Sequence, residues 1–214
     1  MVPDICPPQQ SIRVVEASPL HRSDALDAPG YGSSLATTSL GWPSLPHWCI
    51  WVEPSSSGGS DRWQQRWREA VEAALEQWSA LIPVQRVDSP ERAQVLLHRR
   101  KPPLRAIAGG WRASNGRSHL QLIEVQRQQR WRFEPQVTVL VSPHLRAAVL
   151  EATALHELGH AFGLWGHSLD PGDVMAVHQG QQPLLKLSPR DRLTLGWLRD
   201  QPNDFGITPL QSQP

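Results

Sequence analysis

The chain has 214 residues, of which 39% are apolar, enough for one domain with a real core and a loose end. With 21 Lys+Arg against 20 Asp+Glu the formal net charge is +1, which gives no general reason to expect a nucleic acid or an anionic membrane as partner. No stretch approaches the roughly 18 apolar residues of a membrane span, and the start MVPDICPPQQ lacks the basic-then-apolar order of a signal peptide. The compartment is therefore open, the cytoplasm by default and outside the cell if the start is misassigned. Two cysteines, Cys6 and Cys49, can pair, but they make neither a disulfide framework nor a zinc ribbon.

In chain order, residues 1–44 are rich in Pro, Ser, Gly and Ala without a sustained period, so they read as a poorly ordered extension. Order begins at Leu45–Pro54, where Trp48, Ile50 and Val52 alternate as in a strand, and a Ser/Gly turn at Ser55–Ser60 follows. Trp63, Trp67, Ala70, Val71, Ala74, Leu75 and Trp78 recur at three and four, one apolar helix stripe that Ser60 or Asp61 can cap and Pro83 stops. Core packing is preferred over RNA binding for these tryptophans. Ala93–His98 is a strand, and strand–helix–strand implies a parallel pair. One short strand near Leu104–Ala108, two at His119–Val125 and Gln136–Val141, and a turn at Gln126–Trp131 come next. Ser142-Pro143 reads as cap and first position of a helix through Ala147–Phe162, closed at Gly163. After a loop, Ser188-Pro189-Arg190-Asp191 opens a last helix with a capping box. Residues 201–214 read as a tail, leaving 45–200 as the one domain.

The chemistry concentrates in His156-Glu157-Leu158-Gly159-His160. Residues four apart share one helix face, so both imidazoles can reach one Zn²⁺ at about 2.0–2.1 Å. Glu157 points beside the metal, where it can take the proton of a water that the metal acidifies. Gly163 lets the chain leave the helix sharply and bring His167 back as third ligand. Two histidines could also be mere polar neighbours on a helix. The added glycine and third histidine favour the metal. His47, His98, His119 and His144 show no ligand spacing.

HELGHAFGLWGH followed by DVMAVH resembles the metzincin clan of zinc metallopeptidases, most closely its matrixin branch, over about residues 45–200. The resemblance implies a metzincin-like α/β (α+β) domain: a mixed, mostly parallel twisted sheet, two long helices, a methionine turn and a C-terminal helix. It implies one catalytic zinc on His156, His160 and His167, Glu157 as catalytic base, and Met175 in a turn under the metal, although Met175 could also be a core filler. Asp191 would brace that turn, Ala176, Val177 and His178 would line the pocket for the residue after the cut, and Leu120–Glu124 would be the edge strand that pairs with an extended peptide. One residue more than the clan pattern separates Gly163 from His167, with Gly166 able to absorb it and His178 as substitute ligand. No Asp lies between Asp88 and Asp170, so no calcium and no second zinc are expected. Cys6 does not match the prodomain cysteine of matrixins, and Tyr31, the only tyrosine, rules out a tyrosine ligand after the methionine. The expected function is a zinc endopeptidase acting on a peptide or protein. The alternative is a zinc-stabilised peptide-binding domain with little turnover. Nothing in the sequence sets an oligomeric state.

Overall fold

The computed structural model describes residues 4–15, 20–55, 62–178 and 182–207. Its elements in chain order are β1 (Gln9–Val14), β2 (His21–Arg22), β3 (Ala36–Thr37), β4 (Trp48–Val52), α1 (Arg62–Ser79), β5 (Val84–Val87), β6 (Val95–His98), β7 (Arg105–Ile107), β8 (Gly110–Arg112), β9 (Gly116–Arg127), β10 (Arg130–Val141), α2 (Ala147–Ala161) and α3 (Pro189–Arg199). Six strands form a mixed sheet in the order β1-β9-β10-β6-β4-β5. The pairs β10/β6, β6/β4 and β4/β5 are parallel, whereas β1/β9 and β9/β10 are antiparallel. The strand–helix–strand reading of residues 45–98 thus gives the expected parallel β4/β6 pair, with β5 as an additional parallel neighbour of β4.

The apolar stripe of α1 is buried at Trp67, Ala70, Val71, Ala74, Leu75 and Trp78. Its two indole N–H groups anchor the layer beneath: Trp67 Nε1 donates to the Val141 carbonyl (3.1 Å) and Trp78 Nε1 to the Leu155 carbonyl of α2 (2.9 Å). Burying an indole is favourable only when its N–H keeps a partner, and both do. Trp63 departs from the stripe. It is 45% exposed, with the Arg66 guanidinium 4.6 Å above its ring, so it is not a core residue. The proposed caps Ser60 and Asp61, and all but the first residue of the Ser55–Ser60 turn, lie outside the described residues.

Four expectations are corrected. First, the N-terminal residues are integral to the fold wherever they are described. β1 adds a strand against β9, Tyr31 and Leu35 are 2% and 0% exposed, and Cys6 and Cys49 form a disulfide. The stretch is stitched down by non-local contacts, which low local periodicity does not reveal. A buried ion pair between Arg127 and Glu134 reinforces it: the Arg127 guanidinium also donates to the carbonyls of Pro7 and Glu91, while Gln94 bridges Glu134 (3.0 Å) and the Cys49 N–H (2.9 Å). Second, α2 starts at Ala147. The Ser142 N–H donates to the Asn115 carbonyl (2.9 Å), so this Ser-Pro pair ends the sheet rather than capping a helix. Third, β9 and β10 run up to a turn of only Gln128 and Gln129, both with positive φ (48° and 63°), as a two-residue hairpin of primed type requires. Fourth, part of the supposed tail packs back: Phe205 is 3% exposed and the Gly206 N–H donates to the Phe133 carbonyl (2.8 Å).

The disulfide closes a loop spanning 43 positions of sequence separation. Replacing both cysteines by serine is expected to lower stability by roughly 2–4 kcal/mol, seen as a fall of about 5–15 °C in the thermal midpoint. An unchanged midpoint would contradict the integral role given to residues 4–15.

Candidate metal centre

α2 carries His156, Glu157 and His160, and its C-terminus decides where His167 goes. Gly163 sits at φ 109°, the left-handed conformation that glycine adopts without cost. The Gly163 N–H donates to the His160 carbonyl (3.0 Å) and the Leu164 N–H to the Gly159 carbonyl (3.0 Å), a Schellman closure. The residue inserted between Gly163 and His167 is absorbed next. Trp165 and Gly166 each donate to the carbonyl two residues back (2.8 and 3.0 Å), and the Trp165 carbonyl accepts the Ala36 N–H (2.7 Å) as Leu35 bridges Gly166. The N-terminal segment that read as disordered therefore shapes the loop leading to the third histidine.

One ring nitrogen from each of His156, His160 and His167 lies within 4.8 Å of the other two. The rings of His156 and His167 are stacked at 5.3 Å, and both lie close to His160 (4.8 and 4.9 Å), whose ring also stacks on Trp165 at 5.5 Å. His156 Nδ1 is 2.8 Å from the Val174 carbonyl and His160 Nδ1 is 2.7 Å from the Leu164 carbonyl. A carbonyl only accepts, so each Nδ1 carries the proton and each Nε2 keeps its lone pair for a ligand. Burial lowers the pKa of His156 to about 4 and that of His160 well below the usual imidazole value, and it lowers that of the more exposed His167 too. All three are neutral imidazoles near pH 7, the protonation state a metal needs. An all-imidazole donor set of this kind suits a transition ion, and these three side chains could hold one.

Glu157 is 8% exposed beside the trio. Its carboxylate accepts the Ser118 hydroxyl (2.7 Å), and that same hydroxyl lies 3.0 Å from the Glu157 carbonyl. Burial raises the Glu157 pKa to about 7 against the opposing pull of the Ser118 hydrogen bond and of Arg117, so proton uptake and release are both accessible near neutral pH. β9 can approach this closely because residue 116 is glycine: a Cβ there would stand 2.6 Å from Glu157 Cγ.

Beneath the helix, Met175 is fully buried, and a Cβ at Gly159 would overlap its sulfur. The turn carrying Met175 closes through the Ala176 N–H and the Asp173 carbonyl (3.1 Å). Asp191, fully buried, accepts from Val174 N (2.9 Å), Met175 N (3.4 Å), Ser188 N (2.9 Å) and the Tyr31 hydroxyl (2.7 Å). Ser188 Oγ accepts the Asp191 N–H in return (3.0 Å), so the capping box of α3 is present and the same carboxylate also serves the turn. Ser168, next to His167, exchanges hydrogen bonds with Met175 and Val177 (2.8 and 3.0 Å) and so ties the third histidine to that turn.

The trio opens into a cleft of about 770 Å³ walled by Asn115, Ser118, Glu157 and Trp165. A smaller cavity of about 330 Å³ adjoins it, lined by Thr153, Ala176, Val177 and His178, with His156 and Glu157 common to both. Ala176 is buried, while Val177 and His178 are exposed, and His178 is not one of the converging ring nitrogens. The expectation for Leu120–Glu124 is corrected: Leu122 accepts from Val15, and Ile123 and Glu124 pair with β1, so within β9 it is Gly116–Gln121 whose outer edge has no strand partner among the described residues. Sequence reasoning missed Ser118, Gly116 and Trp165, and it used Tyr31 only to exclude a ligand. The glycine inside a strand pattern was the available signal for Gly116. Cys6 is engaged in the disulfide. No helix is long and apolar enough to cross a membrane among the described residues. Comparison with protein-family models and with curated proteins returns no match, so the geometry stands alone.

Removing the Tyr31 hydroxyl leaves a buried carboxylate oxygen short of one donor. Tyr31→Phe is expected to cost about 1–3 kcal/mol in chemical denaturation. Gly159→Ala, which drives a methyl into Met175, is expected to cost about 1–3 kcal/mol. Wild-type stability in both variants would contradict the packing described for the turn.

Proposed function

We propose that the chain is a zinc-dependent endopeptidase of metzincin type. The observation that carries the reading is the combination of three converging neutral imidazoles, two of them oriented by backbone carbonyls, with a buried carboxylate one residue along the same helix. A helix that served only to hold a structural ion would have no use for that carboxylate, and three protein ligands leave a position for substrate.

His156, His160 and His167 hold the ion. Zinc bound there supplies Lewis acidity, which acidifies a water and polarises the scissile carbonyl. Glu157 accepts the proton of the attacking water and passes it to the leaving amine, serving as base and then as acid. Ser118 holds the Glu157 carboxylate through its hydroxyl, and Trp165 walls the far side of His160. The peptide lies along the cleft, with the residue after the cut against Ala176, Val177 and His178.

The test is digestion of a proteome-derived peptide mixture by the zinc-loaded chain beside Glu157→Gln, read by mass spectrometry. New termini are expected with the wild type and a loss of about 10²–10⁴-fold in the variant, with one zinc per chain retained in both. Zinc retained without new termini would favour a peptide-binding domain instead. Equal cleavage by the variant would remove Glu157 from the chemistry.

A further inference from the structure

The formal charge of the whole chain is nearly balanced, yet the cleft is not. Arg105, Arg112 and Arg117 line it, and the sole carboxylate among its lining residues is Glu157, whose Oε2 already accepts the Ser118 hydroxyl. Among the described residues none of the three arginines has an ion pair or a side-chain hydrogen bond, and the one carboxylate that feels their charge is Glu157, through Arg117. Arg105 and Arg112 are also direct register partners across the β7–β8 hairpin. Directly opposed residues in an antiparallel pair present their side chains on one face about 5 Å apart, and like charges so placed repel. A small hairpin holding two opposed, unpaired guanidinium groups over a cleft is destabilised in the free protein and relieved by an anion between them. Guanidinium forks bind carboxylates in bidentate fashion, which favours the planar side chains of Asp and Glu.

We infer that the cleft selects a peptide segment bearing Asp or Glu, its carboxylates gripped by Arg105, Arg112 and Arg117. The inference rests on the peptide-cleaving reading for the orientation of the chain. Arg105 and Arg117 lie in the larger cavity with Trp165 and His167, away from Ala176–His178, so the acidic side chain sits on the side before the cut. Arg112 borders both cavities and also reaches the scissile region. A nucleic-acid strand is the poorer partner, because the formal charge of the chain is nearly balanced at +1 and a polyanion gains most from many basic contacts.

The test is binding of a fluorescent decapeptide containing Asp and Glu, against its Asn/Gln counterpart, to the metal-free 214-residue chain, read by anisotropy. The acidic peptide is expected to bind about tenfold more tightly, with the difference shrinking as salt rises from about 50 to about 300 mM. Arg105→Gln with Arg112→Gln is expected to cut the preference below about threefold, and Arg105→Lys with Arg112→Lys to keep part of it. Both positions are exposed, and a thermal midpoint no lower than that of the wild type checks the fold of each variant. Equal binding of the two peptides, or a preference that survives the double Gln variant, overturns the inference. So does displacement of the acidic peptide by a ten-nucleotide single strand at equal concentration. The same acidic peptide offered to the zinc-loaded chain separates the two readings. Bound preferentially but left uncut, it removes the peptidase and leaves the acidic selectivity; cut as readily as its amide counterpart, it does the reverse.

Discussion

The Asp191 carboxylate is fully buried without a cation in direct contact among the described residues, and it is tolerated because four donors converge on it: three backbone N–H groups and the Tyr31 hydroxyl. Hydrogen bonds to a charged group contribute about 1.5–3 kcal/mol each, whereas a buried charge left unpartnered is strongly destabilising. The four donors come from Tyr31, from the turn at Val174 and Met175, and from the start of α3. Satisfying one carboxylate therefore fixes three distant pieces of chain relative to each other. Val174 passes the constraint onward: its N–H donates to Asp191 and its carbonyl accepts from His156 Nδ1. The position of the first histidine of the trio thus depends on a carboxylate that lies outside the trio.

The third histidine depends on the same turn by another path. Ser168 pairs with Met175 and Val177, and its hydroxyl donates to the buried Asp173 (2.5 Å), which also accepts from Ser188 Oγ (2.6 Å) and Arg190 (3.0 Å). On its other flank the loop to His167 is braced by Leu35 and Ala36. Two supports from opposite ends of the chain hold His167 where the extra residue after Gly163 would otherwise leave it free to wander. Preorganising neutral imidazoles in this way places the cost of gathering them in the folding step, so that a metal binding there would not bear it.

Local chemistry was legible in the residues, and non-local pairing was not. His156, Glu157 and His160 follow from the helical period alone, Gly163 from its need at a helix end, and Asp191 from the Ser188 capping box. In each case cause and signal lie within about one turn of helix. His167 came from the motif, and the structure shows why it arrives despite the inserted residue. The misreadings share one origin. β1 is a polar run, QQSIRV, whose partner lies more than 100 residues away on β9, so no local period marks it. Ser142-Pro143 carries a helix-start signature, but its N–H is committed to Asn115, a contact only the fold creates. Gln128–Gln129 adopts a turn that ordinarily advertises itself by Asn-Gly. Ser118 reaches Glu157 only because β9 crosses α2 at Gly116, and Tyr31 gained its role from a carboxylate 160 positions downstream.

The measurement that bears most directly on the account is the X-ray absorption spectrum of the zinc-loaded chain at the metal edge. Three imidazole nitrogens and one further light-atom donor at about 2.0–2.1 Å, with one imidazole lost in His167→Ala, are the predicted result. A shell of four imidazoles, a sulfur at about 2.3 Å, or a wild-type spectrum that His167→Ala leaves unchanged would contradict it.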